Sequence, residues 1–180
     1  VVASAVILDI NALPLGINDS KKLNAAKRDA LFEQIMTTAI VGIGQASVEE
    51  IDSLNILGAT KLAMQRALAE LSIRPALALV DGNRAPILPC AVQTVVGGDA
   101  KSLSIAAASI IAKVTRDRIM CELAAEYPGY GWETNAGYGT AFHQQALATL
   151  GVSAHHRRSF APIRALLKQF ENAQTNIFAA

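Results

Sequence analysis

The sequence predicts an α/β fold in which strands alternate with helices around one largely buried sheet. Short apolar runs rich in β-branched residues recur along the chain, separated by segments whose apolar residues have helical spacing. The run ALALVD at 76–81 is continuously apolar, so both faces of that strand should be covered. With 180 residues, 52% hydrophobic and 17% charged, the chain is long enough to bury one such core.

The first two predicted strands flank a helix. VVASAVIL at 1–8 is almost entirely apolar and predicts a buried strand, and IVGIGQAS at 40–47 predicts a second. Apolar residues on one side of the intervening segment predict a helix over about 24–38. Asp19 and Ser20 are candidate caps for the start of that helix.

Two further helices are predicted between the second and third strands. The Ser-x-x-Glu pattern from Ser47 to Glu50 is a capping box and predicts a short helix. Asn55 can cap the next helix, ILGATKLAMQRALAEL, which Pro75 ends because proline cannot continue a helix.

The second half of the chain continues the alternation after the ALALVD strand. AVQTVVGGD at 91–99 predicts another strand, which ends in Gly-Gly-Asp. Helical spacing predicts a long helix over about 101–126. An aromatic and glycine-rich loop follows at 127–140, and helices over about 140–150 and 162–170 close the chain.

Composition excludes several classes of protein. The net charge of +1 indicates no basic surface over the whole molecule, so any contact with nucleic acid must use local clusters such as HHRRS at 155–159. Cys90 and Cys121 match no zinc or redox spacing and make no disulfide scaffold, which is typical of a cytoplasmic protein. No apolar run is long enough to span a bilayer, so we expect no membrane association.

Carboxylates follow two of the predicted strands. Asp81 and Asp99 each stand beside a glycine, and ligands of open α/β sheets bind beyond the carboxyl ends of strands. Oxygen-rich sites of this kind suit Mg²⁺ or Mn²⁺. The alternative is that Asp-Gly is simply a turn dipeptide, and the pattern alone leaves both interpretations open.

Several longer segments carry a family resemblance. They include INDSKKLNAAKRDAL, LVDGNRAP, YPGYGW, GYGTAFHQQAL, HHRRSFAP and, as the most specific, VVGGDAKSLSIAAASIIAKVTRDRIM. In their order along the chain, from residue 1 to about 170, they resemble bacterial ribonuclease HII. The resemblance implies a ribonuclease H-like mixed sheet flanked by helices, with a catalytic domain at 1–140, a C-terminal helical segment of the same domain at 141–170, and a flexible tail at 171–180.

The resemblance also implies a function. The family's activity is hydrolysis of the RNA strand of RNA–DNA hybrids and cleavage 5′ of ribonucleotides embedded in duplex DNA, with Mn²⁺ or Mg²⁺. The metal-binding aspartates of its DGN and KGD segments match Asp81 and Asp99, which would be the catalytic and metal ligands here. Asp117 is interpreted as a helix-surface ion-pair partner of Lys113. The partners implied are RNA–DNA hybrids or DNA duplexes containing ribonucleotides, and we expect a monomer.

Substrate-binding roles carry over to the DSKK segment, to a loop tyrosine and to a basic segment near the C-terminus: Ser20, Lys21, Lys22, Tyr138, Arg157, Arg158 and Ser159. Each has a structural alternative. The first three could be an ordinary solvated helix start, the tyrosine could pack on the domain, and the arginines could brace the C-terminal helices. His143 and His156 also fit family positions, and we expect each to make a structural hydrogen bond.

The sequence departs from the family pattern in three places. The family opens with a strand bearing DE-x-GRG, which supplies two more metal carboxylates, and no such segment occurs here. We therefore expect that the start of the protein is missing, that this chain is inactive or weakly active, and that the edge of the VVASAVIL strand is exposed. Gly97 and Ala136 replace two family lysines. The alternative function is a vestigial ribonuclease HII-like nucleic-acid-binding domain without catalysis.

Overall fold

The computed structural model describes the backbone of residues 1–178 and the side chains of residues 1–169. Strands and helices alternate as predicted, which confirms the α/β class. In chain order the elements are β1 (Val2–Ile7), α1 (Ala25–Thr38), β2 (Ile40–Gln45), α2 (Val48–Ala69), β3 (Leu77–Asp81), β4 (Ala91–Val95), a 3₁₀ turn (Gly98–Ala100), α3 (Leu103–Glu126), α4 (Trp132–Asn135), α5 (Ala141–Leu150) and α6 (Ala161–Phe178).

The predicted mixture of strand directions is present, but the expectation of a single sheet is wrong for the described residues. β1 pairs with β2 in the antiparallel sense, from Val2 opposite Gln45 to Ile7 opposite Ile40. β3 pairs with β4 in the parallel sense, and these two pairs form separate two-stranded sheets. The expected burial of both faces of β3 also fails, since 48% of Leu77 is exposed. The two sheets are separate because, among the described residues, no backbone hydrogen bond joins β1 to β3.

Some local sequence signals predicted the helix boundaries correctly and others did not. The capping box is confirmed, because the Glu50 amide donates to Ser47 Oγ at 3.2 Å and the Ser47 amide donates to Glu50 Oε2 at 2.8 Å. Two helices were predicted after the capping box, and the break between them is at Asn55, where φ of +60° kinks α2. The cap of α1 is Asn24, whose side chain accepts from the Lys27 amide. Asp19 instead accepts from the Lys21 amide in the turn before the helix.

Two other boundaries differ from the prediction. β4 ends at Val95, and Gly97 adopts a left-handed φ of +64° that turns the chain into the 3₁₀ turn containing Asp99. Asp99 therefore lies within a turn and not at the end of a strand. α6 continues to Phe178, past the predicted helix end at about residue 170. The expected flexible tail falls partly on residues 179 and 180, which lie outside the described residues.

The chain divides into two compact units. The first consists of Val1–Ala46 and Leu57–Arg116. Its core packs apolar side chains of α1 and α3 against β1 and β2: Leu31, Phe32, Ile35, Ile110, Ile111, Val6, Val41 and Ile43. Gly42 and Gly44 of β2 lie directly on α2, and a Cβ at either position would overlap the carbonyl oxygen of Ala67 or Ala63. The close approach of this strand and helix therefore depends on glycine.

The second unit consists of Ser47–Ile56 and the residues from Asp117 onward. Its core centres on the stacked rings of Tyr130 and Trp132, whose centroids are 5.0 Å apart, with Leu147 and Ile163 packed around them. Burial of aromatic rings supplies much apolar area per residue, so a short segment can hold this small unit together. Within the part of the chain that the structure describes, no helix has the length and hydropathy needed to cross a membrane.

Candidate active site

The carboxylate of Asp81 lies at the end of β3 and is fixed by the turn that follows β4. Its Oδ1 accepts a hydrogen bond from the Gly98 amide at 2.8 Å. A Cβ at Gly98 would lie 2.5 Å from Ile105 Cδ1 and 3.3 Å from Asp81 Oδ1, so a side chain there would require the Ile105 side chain to shift. The glycine therefore allows the turn to approach the carboxylate closely, which explains why a strand of apolar residues can end in this charge.

Asp99 belongs to the same turn. It is the residue after Gly98, so the chain that binds Asp81 also presents the second carboxylate. Its side chain is 14% exposed, and Lys21 Nζ lies 3.6 Å from its Oδ2. The Lys21 side chain is 80% exposed, so this ion pair is weak and its cation can move to another partner. The structure thus brings together three of the sequence-predicted site residues.

The other residues of the DSKK segment are placed differently. Lys22 is exposed, whereas Ser20 is buried and its carbonyl oxygen accepts from Arg28 Nη1 at 2.8 Å. Arg28 also donates to the carbonyl oxygen of Leu23 at 2.6 Å. The alternative of an ordinary solvated helix start therefore does not describe Ser20, because an arginine from the first turns of α1 holds this segment in place.

Carboxylate oxygens are ligands that a divalent cation prefers, but two carboxylates supply only part of its coordination shell. Mg²⁺ and Mn²⁺ prefer carboxylate, water and phosphate oxygens. Among the residues whose side chains the structure describes, no group of three or more His, Cys, Asp or Glu residues is arranged to hold a metal. Asp81 and Asp99 would therefore hold a cation together with water or substrate oxygens, and such a cation would be bound weakly.

Lys101 is a cation that the sequence reasoning missed. Its Nζ donates to the carbonyl oxygen of Val96 at 2.7 Å, so its charge lies beside the turn that contains Gly97. The signal was present in the GGDAK string, but a lysine two residues after an aspartate has no special meaning until the 3₁₀ turn is known.

Tyr138 belongs to the second unit, in the loop between α4 and α5. It is 65% exposed, so packing on its own unit covers only a minor part of the side chain. Buried Asn135 shapes this loop: its Nδ2 donates to the Tyr130 carbonyl and its Oδ1 accepts from the Gly137 amide, both at 2.8 Å. The sequence reasoning missed Asn135, although Asn before Ala-Gly is typical of a turn.

The Arg157–Ser159 turn is held by Asp52, a third residue that sequence reasoning missed. Asp52 Oδ2 accepts from the Arg158 amide at 2.8 Å, and its Oδ1 accepts from the Ser159 amide at 2.9 Å and from Ser159 Oγ at 2.6 Å. Burial alone would raise the pKa of Asp52, but the bonds from Ser159 and Arg158 outweigh it and the pKa is lowered. The carboxylate thus stays charged and braces this turn.

Two side chains of that turn already interact with residues of their own unit. The hydroxyl of Ser159 donates to Asp52, and the Arg157 guanidinium lies over the Phe160 ring, 4.9 Å from its centroid. A guanidinium stacked in this way keeps its N–H groups at its edge, where they can still contact phosphate. Bracing and substrate contact are therefore compatible for Arg157, whereas bracing dominates for Ser159.

The structural hydrogen bonds expected of the two histidines are confirmed. His143 Nδ1 lies 3.1 Å from the Tyr130 carbonyl oxygen, and His156 Nδ1 accepts from the Ser153 amide at 3.1 Å. The two rings stack with centroids 5.3 Å apart. Burial, together with the nearby His143, lowers the pKa of His156 to about 4, so its ring is neutral at pH 7.

The predicted site residues therefore form two groups, each described within its own unit. The first unit carries Ser20, Lys21, Lys22, Asp81 and Asp99, and the second carries Tyr138, Arg157, Arg158 and Ser159. The expected ion pair of Asp117 with Lys113 stays a prediction.

Solved structures show which fold this architecture shares. The ribonuclease H2 of Pyrococcus horikoshii OT3 matches with a TM-score of 0.74 and 23% identity, over 95% of this chain and 99% of that one. A ribonuclease HIII bound to Mn²⁺, described as Bst-RNase HIII, matches with a TM-score of 0.73 and 20% identity, over 93% of this chain and 64% of that one. The fold is that of the type 2 ribonucleases H, and Asp81 and Asp99 lie on it.

Sequence comparison narrows this class to one family. The family model described as ribonuclease HII matches residues 1–163. The ribonuclease HII of Magnetococcus marinus is 62% identical over 170 residues, which cover 93% of this chain and 80% of the relative. That of Paracoccus denitrificans is 59% identical over 174 residues, covering 96% and 83%. The chain belongs to the ribonuclease HII family, and by family it is a nuclease and a hydrolase.

Proposed function

We propose that this protein is an endonuclease that hydrolyses the RNA strand of RNA–DNA hybrids and cuts 5′ of ribonucleotides embedded in duplex DNA, with Mn²⁺ or Mg²⁺. The observation that carries the proposal is the turn at Gly98, which binds the carboxylate of Asp81 and presents that of Asp99. The Mn²⁺ in the solved ribonuclease HIII supports the choice of cation. Cleavage of this kind removes ribonucleotides from DNA, so we place the protein in DNA replication and repair, as a monomer in the cytoplasm.

Each group of residues has a task in this proposal. A bound divalent cation supplies Lewis-acid stabilisation of charge on the scissile phosphate and a more acidic water. Asp81 and Asp99 would hold that cation, and the weak pair with Asp99 leaves the Lys21 amine able to move onto a phosphate oxygen. Tyr138 offers its exposed ring to a sugar or base, where contact with the 2′-hydroxyl separates RNA from DNA. Lys22, Arg157 and Arg158 add sequence-independent contacts to the phosphate backbone.

The number of carboxylates sets the expected activity of these 180 residues. Two ligands from the protein bind a cation more weakly than a complete carboxylate site, so cleavage should be slow and should need millimolar metal. The alternative is a nucleic-acid-binding domain that cuts nothing. Membership of a family of nucleases favours the enzyme.

The test is a cleavage assay on duplex DNA with one embedded ribonucleotide, in Mn²⁺, over a concentration series of protein. We expect slow cleavage 5′ of the ribonucleotide by the unaltered chain and at least a 100-fold loss in Asp81→Asn. Asp29→Asn, an exposed aspartate on α1, is the matched control and should cut at the unaltered rate. Substrate binding without any cleavage, by all three proteins at every metal concentration, would support the non-catalytic alternative.

A further inference from the structure

The loop between α4 and α5 contains a tight turn that ends at Tyr138. Residues 135–138 form this turn, because the Tyr138 amide donates to the Asn135 carbonyl oxygen at 2.8 Å. Both central residues have a positive φ, +48° for Ala136 and +82° for Gly137. We name residues 135–138 the tyrosine turn.

The backbone of the tyrosine turn needs support from a side chain. Turns with positive φ at both central positions favour glycine, asparagine and aspartate, and Ala136 is none of these. Asn135, which is 8% exposed, supplies the support with both ends of its amide. Its Oδ1 accepts from the Gly137 amide at 2.8 Å, and its Nδ2 donates to the Tyr130 carbonyl oxygen at 2.8 Å. The first bond closes the turn, and the second ties it to the aromatic core of the second unit.

Tyr138 is also held from its other side. Its carbonyl oxygen accepts from the Thr140 amide at 2.8 Å. Thr140 is the N-cap of α5, where its Oγ1 accepts from the His143 amide at 3.2 Å. The backbone of Tyr138 is therefore bonded to Asn135 on one side and to the start of α5 on the other, although the residue is 65% exposed.

Loss of the Asn135 side chain would act on the tyrosine turn and not on the rest of the unit. The Tyr130 carbonyl oxygen would keep a second partner, because His143 Nδ1 lies 3.1 Å from it. Gly137 is exposed, so its amide can bond to water after the change. The unit should stay folded while the turn loses the bond that closes it.

We propose that Asn135 is a positioning residue that holds Tyr138 where its ring meets the sugar of the substrate, and that it thereby sets the preference for a ribonucleotide over a deoxyribonucleotide. This inference rests on the proposed function, in which the ring of Tyr138 contacts the sugar at the 2′-hydroxyl. Two sugars that differ by one hydroxyl are distinguished only by a group whose position is fixed before binding. Asn135 is buried, so it acts through Tyr138 and not on the substrate itself.

The first measurement is amide hydrogen exchange of the full chain without substrate. In Asn135→Ala the amides of Gly137 and Tyr138 should exchange at least 10-fold faster. Asn135→Asp keeps an oxygen for the Gly137 amide and should retain most of the protection. Should circular dichroism show that Asn135→Ala does not fold, Asn135→Leu fills the same space without a polar atom and takes its place.

The matched control is His143→Phe. It removes the other bond to the Tyr130 carbonyl oxygen and keeps a ring in the same place, but it touches neither amide of the tyrosine turn. Both amides should therefore exchange at the unaltered rate in this variant.

The second measurement is binding by fluorescence anisotropy in EDTA, so that no cleavage intervenes. The substrates are duplex DNA with one embedded ribonucleotide and the same duplex made of DNA alone, and the readout is the ratio of their two Kd values. Asn135→Ala and Tyr138→Ala should each lower the preference for the ribonucleotide by about five-fold, whereas His143→Phe should keep it. The double variant should lose no more than Tyr138→Ala alone, because Asn135 acts through the tyrosine.

Three results would overturn the inference. One is unchanged exchange of the Gly137 and Tyr138 amides in Asn135→Ala. Another is a preference that Asn135→Ala keeps and Tyr138→Ala loses, and the third is additive losses in the double variant, which would give the two residues separate roles. Equal binding of both duplexes by the unaltered chain would refute the proposed role of Tyr138 and the selectivity assigned to Asn135 with it. The exchange measurement needs no substrate, so it distinguishes that result from a failure of Asn135 to hold the turn.

Discussion

Removal of the Asp52 carboxylate should loosen the Arg157–Ser159 turn. Asp52→Ala deletes the acceptor of three hydrogen bonds, two from backbone amides and one from the Ser159 hydroxyl. Hydrogen bonds to a charged group contribute about 1.5–3 kcal/mol each when buried, but these are near the surface, where water replaces much of the loss. We therefore expect the free energy of unfolding to fall by about 2 kcal/mol in total. Asp52→Asn should lose less, because its amide retains one acceptor oxygen.

Urea denaturation at pH 7 measures this difference, with Glu122→Ala on the exposed surface of α3 as the control. The pKa of Asp52 is lowered in the folded protein from 3.8, so its stabilisation is present above that pH and is lost as the pH falls through the folded value. The unaltered chain and Asp52→Asn should therefore converge in stability as the pH falls from 3.8 through the folded pKa of Asp52. An unchanged free energy of unfolding in Asp52→Ala, with unchanged exchange of the Arg158 and Ser159 amides, would refute the bracing role.

Three further predictions concern packing, backbone strain and protonation. Gly44→Ala should lower the free energy of unfolding, measured by thermal melts, by about 3 kcal/mol, because the new Cβ overlaps the Ala63 carbonyl oxygen. The control, Ala30→Gly at an exposed position of α1, should change that free energy by less than about 1 kcal/mol. Ala136→Gly should raise Tm, since Ala136 has a left-handed φ of +48° that costs about 1 kcal/mol without glycine; a lower Tm would contradict this. His156 has a folded pKa of about 4 against 6.5, so stability should decline as the pH falls from 6.5 to 4, and His156→Phe should flatten that decline in acid melts.

The sequence predicted features that depend on neighbours in the chain. The capping box was found because Ser47 and Glu50 bond each other three residues apart, and the break at Asn55 was found at a residue type that favours helix caps. The family segments placed Asp81 and Asp99, and the structure shows how one glycine turn serves both carboxylates. The histidine hydrogen bonds were likewise predictable, because a buried imidazole needs a partner.

Features that depend on distant residues were missed. Asp52 lies 106 residues before Arg158, so nothing local reveals that it braces that turn. The two-sheet arrangement was missed because strand propensity says that a segment is extended but not which strand it pairs with. The cap of α1 was also predicted wrongly, because three polar residues compete near the start of this helix. Asn24 is the cap, whereas Arg28 binds the Ser20 carbonyl and holds Ser20 in the segment that precedes the helix.

The two positions at which the family lysines are replaced differ in what surrounds them. Gly97 has a left-handed φ of +64°, which disfavours any other residue by about 1–2 kcal/mol, so glycine relaxes the turn that carries Asp99. The charge is not lost from that turn, because the Lys101 amine lies on the Val96 carbonyl, one residue before Gly97. Ala136 keeps the strained conformation without the charge. A cation therefore remains near Gly97 and the turn that carries Asp99, and the replacement at Ala136 is the one that should weaken contact with nucleic acid.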